Sequence, residues 1–352
     1  MRTYSSFGAL IVLIASCGPA LAWGDVGHEV VCEIAYRELN PQARNRLASL
    51  ITLDSQFRTF AKSCTWPDHP HIRGVEHYVN VPRSAIKIES SKPCPMGNEC
   101  VVKAIAKDMA HLAEESNETE QLKLAKSLGH WVGDVHQPLH VSFEDDRGGN
   151  SINVDWPCRG DLHSVWDTCI IANKIGDVPR DIAIELRAEI TDEDRARWVP
   201  GKIDLAAIIG WANESLAITL KPNVQYCVQK SGECWYAANQ KTYPGGQRKN
   251  VDVNDAYLTE HAPTVRERLK MAGVRLAAVL NTALGEVTTA EMPSVNSLRA
   301  STERGRAPMA MVAVSADQWQ ALLFRLDRLE GALQSVTQEL RSLRIDRQPA
   351  RP

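Results

Sequence analysis

Apolar residues recur at three- and four-residue intervals through most of residues 23–285. HEVVCEIAYREL, NPQARNRLASLI, CVVKAIAKDMAHLAEE, TEQLKLAKSLGHWVGDVH, DLAAIIGWANESLAITL and TVRERLKMAGVRLAAVLNTAL all carry this spacing. It draws an apolar stripe down one face of an α-helix. Asn40-Pro41 marks a helix start, with Asn as the cap and Pro at the first position. Strand-like text is scarce. HYVNV and SINVDW are the main stretches, and they are expected to form a small ribbon. GGQRKN and RGGN read as loops. The expected fold is mainly α, a compact multi-helix domain over residues 23–286.

The pattern changes at both ends. Residues 287–315 have little periodicity and read as a linker. In residues 316–345, Leu322, Leu326, Leu329, Leu333, Val336, Leu340 and Leu343 alternate steps of four and three. That narrow a/d seam predicts a coiled-coil helix and a homo-oligomer formed through it. At the N-terminus, Arg2, the apolar run FGALIVLIAS and Ala20-Leu21-Ala22 read as a signal peptide over residues 1–22. The protein is then periplasmic or secreted. The run is too short for a stable membrane span. Ile14-Ala15-Ser16-Cys17 offers a rival, lipoprotein-type cut.

Composition narrows the function. A formal charge of −3 argues against broad, salt-driven binding to a nucleic-acid backbone. Any bound phosphate must find its positive charge elsewhere. Of the nine cysteines, Cys17 falls in the leader, which leaves an even number in an exported chain and favours disulfides. Cys94 with Cys100 and Cys227 with Cys234 are near enough for local bridges. There is no CxxC pair to suggest a cysteine zinc site.

The chemistry concentrates in GHWVGDVHQPLH and DLHSVWD. His130 and Asp134 lie one helical turn apart and share a face. His163 and Asp167 repeat that pairing on what is expected to be another helix. His140 lies past Pro138, which ends the first helix and turns the chain. Imidazole and carboxylate are usual zinc ligands, and two such pairs plus a histidine are not an expected core pattern. Asp68, His77 and His28 are further candidates, as is the amine that cleavage creates at Trp23. HEVVC and HLAEE are not HExxH, which excludes that metalloprotease pattern.

WGDVGH, WPD, EHYVNV, HWVGDVHQPLHV, GGN and LHSVWD, in this order from Trp23 to about Gly285, resemble the zinc-dependent single-strand nuclease family. The resemblance implies a helical fold with a cleft holding three zinc ions. One ion is then held by Asp68, His77, His130 and Asp134, and a second by His140, His163 and Asp167. The third takes the amine and carbonyl of Trp23, His28 and a shared Asp134, which favours the cut after Ala22. The implied substrates are single-stranded DNA and RNA and 3′-nucleotides. Metal-activated hydroxide attacks phosphorus, the P–O3′ bond breaks, and 5′-phosphates remain. Asp68 is also the candidate to orient the attacking water.

For substrate binding, the resemblance points to Tyr78 as the aromatic that stacks the base. Asn80 stands where an acidic residue is common. Asn150 matches a nucleotide-site position. Arg73 is a candidate phosphate contact, although His71 stands nearer the family's arginine position. His69, His111, His136 and His261 match no metal role, with His136 expected at the surface or behind the ligands. Two other readings remain in play: a zinc phospholipase C-like phosphodiesterase on the same scaffold, and a non-catalytic zinc-binding oligomeric module.

Overall fold

The computed structural model describes residues 23–226, 228–230, 233–235 and 249–285. The signal peptide, the Cys227–Cys234 bridge, the linker and the coiled-coil helix lie outside these residues. The described part is mainly α, as the periodicity requires. Its helices are α1 (Asp25–Glu38), α2 (Pro41–Ile51), α3 (Phe60–Ser63), α4 (Val101–Glu114), α5 (Glu118–His136), α6 (Leu162–Ser164), α7 (Ile170–Lys174), α8 (Pro179–Ala188), α9 (Asp192–Trp198), α10 (Leu205–Thr219) and α11 (Asp255–Gly285).

Local chemistry sets the ends of these helices. Asn40 caps α2 by accepting the Ala43 amide at 2.8 Å, with Pro41 at the first helical position. Asn117 caps α5 by accepting the Thr119 and Glu120 amides. Beyond His136 the chain turns out of α5 through Gln137 and Pro138. The long α11 lies against α1, α2, α5 and α7. Helix α5 is buried on every side from Ala125 to His136. It runs through the core, and its last two turns therefore hold polar side chains deep in the protein.

The strands do not pair as expected. HYVNV supplies β1 (Val79–Val81), which runs parallel to β2 (Val141–Phe143) with Val79 opposite Val141. SINVDW supplies β3 (Ile152–Val154), which pairs antiparallel with β4 (Gly160–Asp161) and parallel with Lys249–Val251. The partner of β1 hides in the apolar text after HQPLH, where no alternation marks it. This register has a consequence for the chemistry: His140 directly precedes β2 and His77 lies two residues before β1, and so the two come side by side.

Among the described residues, three disulfides fasten this frame. Cys94–Cys100 closes the loop before α4, as its spacing suggested. Cys32–Cys64 ties α1 to the turn after α3, and Cys158–Cys169 spans the segment that contains α6. No helix among the described residues is long and apolar enough to cross a membrane.

Candidate metal centre

On α5, His130 Nε2 and Asp134 Oδ2 are 3.5 Å apart. Two short 3₁₀ turns, Trp66–Asp68 and Gly74–His77, pack on α5 and bring in Asp68 and His77. His77 Nδ1 lies 3.5 Å from Asp68 Oδ1, 3.4 Å from Asp134 Oδ2 and 3.1 Å from His130 Nε2. A second group forms where β2 and α6 begin. His140 Nε2 is 3.0 Å from His163 Nε2, which is 3.5 Å from Asp167 Oδ2. Asp167 sits in a π-helical turn, Val165–Cys169, rather than on a continued α-helix. The third group is His28, His130 and Asp134. His28 Nε2 lies 3.4 Å from Asp134 Oδ1, and its ring stacks on His130 at 3.8 Å.

These spacings are those of donors around a shared cation. Two ligands on a tetrahedral zinc, each bonded at about 2.0–2.1 Å, stand about 3.3–3.4 Å from one another. Asp134 faces His28 with one oxygen and both His77 and His130 with the other. Asp134 and His130 are the residues common to these two groups.

The histidines are oriented for ligation. His130 Nδ1 donates to the Cys64 carbonyl at 2.7 Å, and His163 Nδ1 to Gly148 at 2.7 Å. His140 Nδ1 donates to the His77 carbonyl at 2.6 Å, and His77 Nε2 to Ile72 at 2.9 Å. In each case the proton is held by a backbone carbonyl, and the opposite nitrogen turns its lone pair into the group. Burial pushes all four histidines below the usual imidazole range. They are therefore neutral, the form that binds a metal.

The carboxylates show what is wanted at the centre. Asp68 and Asp134 are buried, and none of their four oxygens has a hydrogen-bond partner. Both nitrogens of His28 are likewise unpaired. Buried polar atoms are nearly always satisfied, and an unpaired buried carboxylate is expensive. Burial pushes Asp134 up to about 8 and Asp167 well above the carboxylate range. A cation among these groups would remove that cost, so the residues present fit a bound metal.

Two glycines make the close packing possible. A Cβ on Gly133 would stand 2.8 Å from His28 Nδ1, so α5 must be bare where His28 lies against it. Gly148 has a φ of +66°, and a Cβ there would meet the Leu139 carbonyl at 2.6 Å. Its own carbonyl is the one that holds His163.

The other expected residues divide. Trp23 is fully buried beside Gly27 and Gly133, next to His28, and the Gly24 amide bonds the Asp167 carbonyl at 3.0 Å. Trp23 and Gly24 are thereby held between two of the groups. Tyr78 is 36% exposed. With Asn80 it lines an open pocket of about 170 Å³, adjacent in sequence to His77. Asn150 donates to the Arg147 carbonyl at 2.7 Å, which makes it a turn residue of the GGN loop whatever else it contacts.

Arg73, expected as a phosphate contact, has partners of its own. Its guanidinium is bidentate to Asp108 at 2.6 and 3.0 Å, pairs with Glu76 and lies over the Trp131 ring. With these partners it braces Trp131, whose ring packs edge-on against His77 and His130. His136 is not at the surface. It is fully buried, donates to the Val132 carbonyl and accepts from Arg275, outside the three groups.

Two contributors lie outside the expected ligand set: His71, noted in the sequence only for its nearness to the family's arginine position, and Gln137, which no role singled out. His71, 3.6 Å from Asp68 and stacked on His77, is half exposed at the edge of the centre. Gln137, at the end of α5, donates to Asp167 Oδ1. Its place inside HQPLH was the available signal.

Comparison with known proteins agrees with this geometry. The S1/P1 nuclease family model matches residues 23–285, which include all three donor groups. The chain is 31% identical to Endonuclease 4 of Arabidopsis thaliana over 296 residues, 78% of this chain and 93% of that protein. It is 30% identical to Endonuclease 3 of the same plant over 298 residues, 78% and 92%. To Nuclease S1 of Aspergillus oryzae it is 25% identical over 276 residues, 74% and 91%. The chain belongs to the S1/P1 nuclease family.

Proposed function

We propose that the protein is an exported, zinc-dependent endonuclease that hydrolyses single-stranded DNA and RNA to 5′-phosphorylated products, with 3′-nucleotidase activity. The observation that carries this reading is a set of buried, unpaired carboxylates interleaved with neutral histidines, next to a pocket that displays an aromatic ring. Three zinc ions are the proposed complement. Asp68, His77, His130 and Asp134 hold one; His140, His163 and Asp167 hold another; His28, Asp134 and the main chain of Trp23 hold the third.

Bound zinc supplies Lewis acidity, which lowers the pKa of water towards 7 and neutralises phosphate charge. The protein's own groups do the rest. Asp68 has free acceptor oxygens and orients the attacking water. Gln137 fixes Asp167, and the backbone carbonyls fix the histidine rings. Tyr78 stacks a base while Asn80 meets its edge. An unstacked base can enter that pocket, whereas a duplex keeps its bases paired and stacked. This also answers the charge question: a chain with a net charge of −3 takes its positive field from the metals.

Export follows from residues 1–22 and fits the three disulfides. Residues 316–345 are proposed to self-associate. The test is to incubate the purified mature protein with single-stranded DNA, RNA, 3′-AMP and phosphatidylcholine, with and without chelator. Zinc-dependent release from the nucleotide substrates is expected. Release only from the phospholipid would establish the phospholipase reading, and no release from any substrate would leave a binding module.

A further inference from the structure

The pocket beside the metal centre is lined by Val75, Tyr78, Asn80, Met96, Glu99 and Glu144, among others. Tyr78, the residue before β1, and Asn80 on β1 flank the buried Val79, and both line the pocket. The two glutamates arrive from separate elements. Glu99 lies in the loop closed by Cys94–Cys100, and the loop's next residue but one, Val101, bonds the Tyr78 carbonyl at 3.0 Å. Glu144 follows directly on β2, the partner of β1. Both are exposed, and neither carboxylate has an ion-pair partner among the described residues.

We infer that this pocket selects guanine, read by Glu99 and Glu144. The inference rests on the nuclease reading for its biological meaning. Its argument is one of donors and acceptors. An ionised carboxylate only accepts hydrogen bonds. Guanine offers two adjacent donors on one edge, the ring N1–H and the exocyclic amine, and can give both to a carboxylate. Adenine and cytosine offer a single amine. Uracil and thymine offer two carbonyl oxygens around one N–H, and those oxygens meet the carboxylates with like polarity. The Asn80 amide can donate to guanine O6. Bonds to a charged acceptor are roughly twice as strong as neutral ones. Tyr78 supplies a stacking face that any base accepts, so it adds affinity without choice. The same two charges repel phosphate from the pocket and leave the metal side as its place.

The test uses short dT oligomers with one central dG, dA, dC or no replacement, cut by the zinc-loaded protein and mapped at the variable base. Wild type is expected to cut beside dG at least about tenfold faster than beside dT, as one bidentate base contact provides. Glu99→Gln and Glu144→Gln each shrink that ratio, and the double variant brings it close to one. Equilibrium binding of free guanosine and uridine to the zinc-loaded protein reads the pocket apart from cleavage, since neither carries a phosphate, and guanosine is expected to bind tighter in wild type only. Equal cutting beside all bases together with equal nucleoside binding overturns the inference, as does a guanine preference that survives the double variant. If no oligomer is cut, the nuclease reading fails, and the binding arm still decides what the pocket selects.

Discussion

Asp134→Asn removes one negative charge from the centre and keeps the side chain's shape. In the metal-free protein Asp134 is fully buried, and neither of its oxygens is hydrogen-bonded. Burial pushes its carboxyl up to about 8. At pH 7 the folded chain therefore holds a proton that the unfolded chain gives up near 4. That costs about 4 kcal/mol at about 1.4 kcal/mol per pH unit. The folded state binds the extra proton, so stability falls as pH rises from about 4 to about 8 and is level above that. Asparagine has no such proton. The metal-free variant is expected to exceed metal-free wild type by about 1–4 kcal/mol at pH 7, since the amide too lacks partners. With zinc the order reverses, because Asp134 serves two donor groups. A site filled at a hundredfold over its Kd stabilises by about 2.7 kcal/mol, and two such sites by about 5.4. At about 2–4 °C per kcal/mol, wild type should gain roughly 10–20 °C in Tm on zinc addition. The variant should gain far less. Calorimetry of both proteins with zinc and with chelator, disulfides intact, gives the four values. Equal zinc-induced rises, or a metal-free variant less stable than metal-free wild type, would refute the reasoning.

Three further outcomes follow from the same geometry. Gly133→Ala places a methyl 2.8 Å from His28 Nδ1. It should cost about 1–3 kcal/mol of stability and reduce bound zinc by one per chain, measured by elemental analysis. One residue added before Trp23 moves the terminal amine away from the proposed third ion, and most cleavage activity should be lost; full activity would exclude Trp23 as a ligand. Deleting residues 316–352 should lower the mass in solution by light scattering while zinc-dependent cleavage persists, and an unchanged oligomer would remove the coiled-coil proposal.

The i, i+4 pairs were legible in the sequence because one helical turn relates them directly: His130 with Asp134, and His163 with Asp167. Even so, Asp167 reached its place through a π turn, which spacing alone does not distinguish from an α-helix. Asp68, His77 and His28 meet the pairs only through tertiary contacts, so the resemblance, not the periodicity, grouped them. The pairing of β1 with β2 and the bridges Cys32–Cys64 and Cys158–Cys169 are long-range facts without a local signature. For His136, the surface alternative falls away because α5 has no solvent face in its last turns, while its lack of a place in the donor groups agrees with the expectation. It lies two residues beyond Asp134, about 200° around the helix, and so points into a different part of the core, towards Arg275. The acids that hold Arg73, Asp108 and Glu76, were not legible beside the motif, because Asp108 reaches it only through the fold.

The most direct test of the account is the zinc content of the mature protein measured alongside its cleavage of single-stranded DNA, through removal and return of the metal. The account predicts three zinc ions per chain, loss of cleavage as they are stripped, and recovery when zinc is restored. Undiminished cleavage by the stripped protein would contradict it.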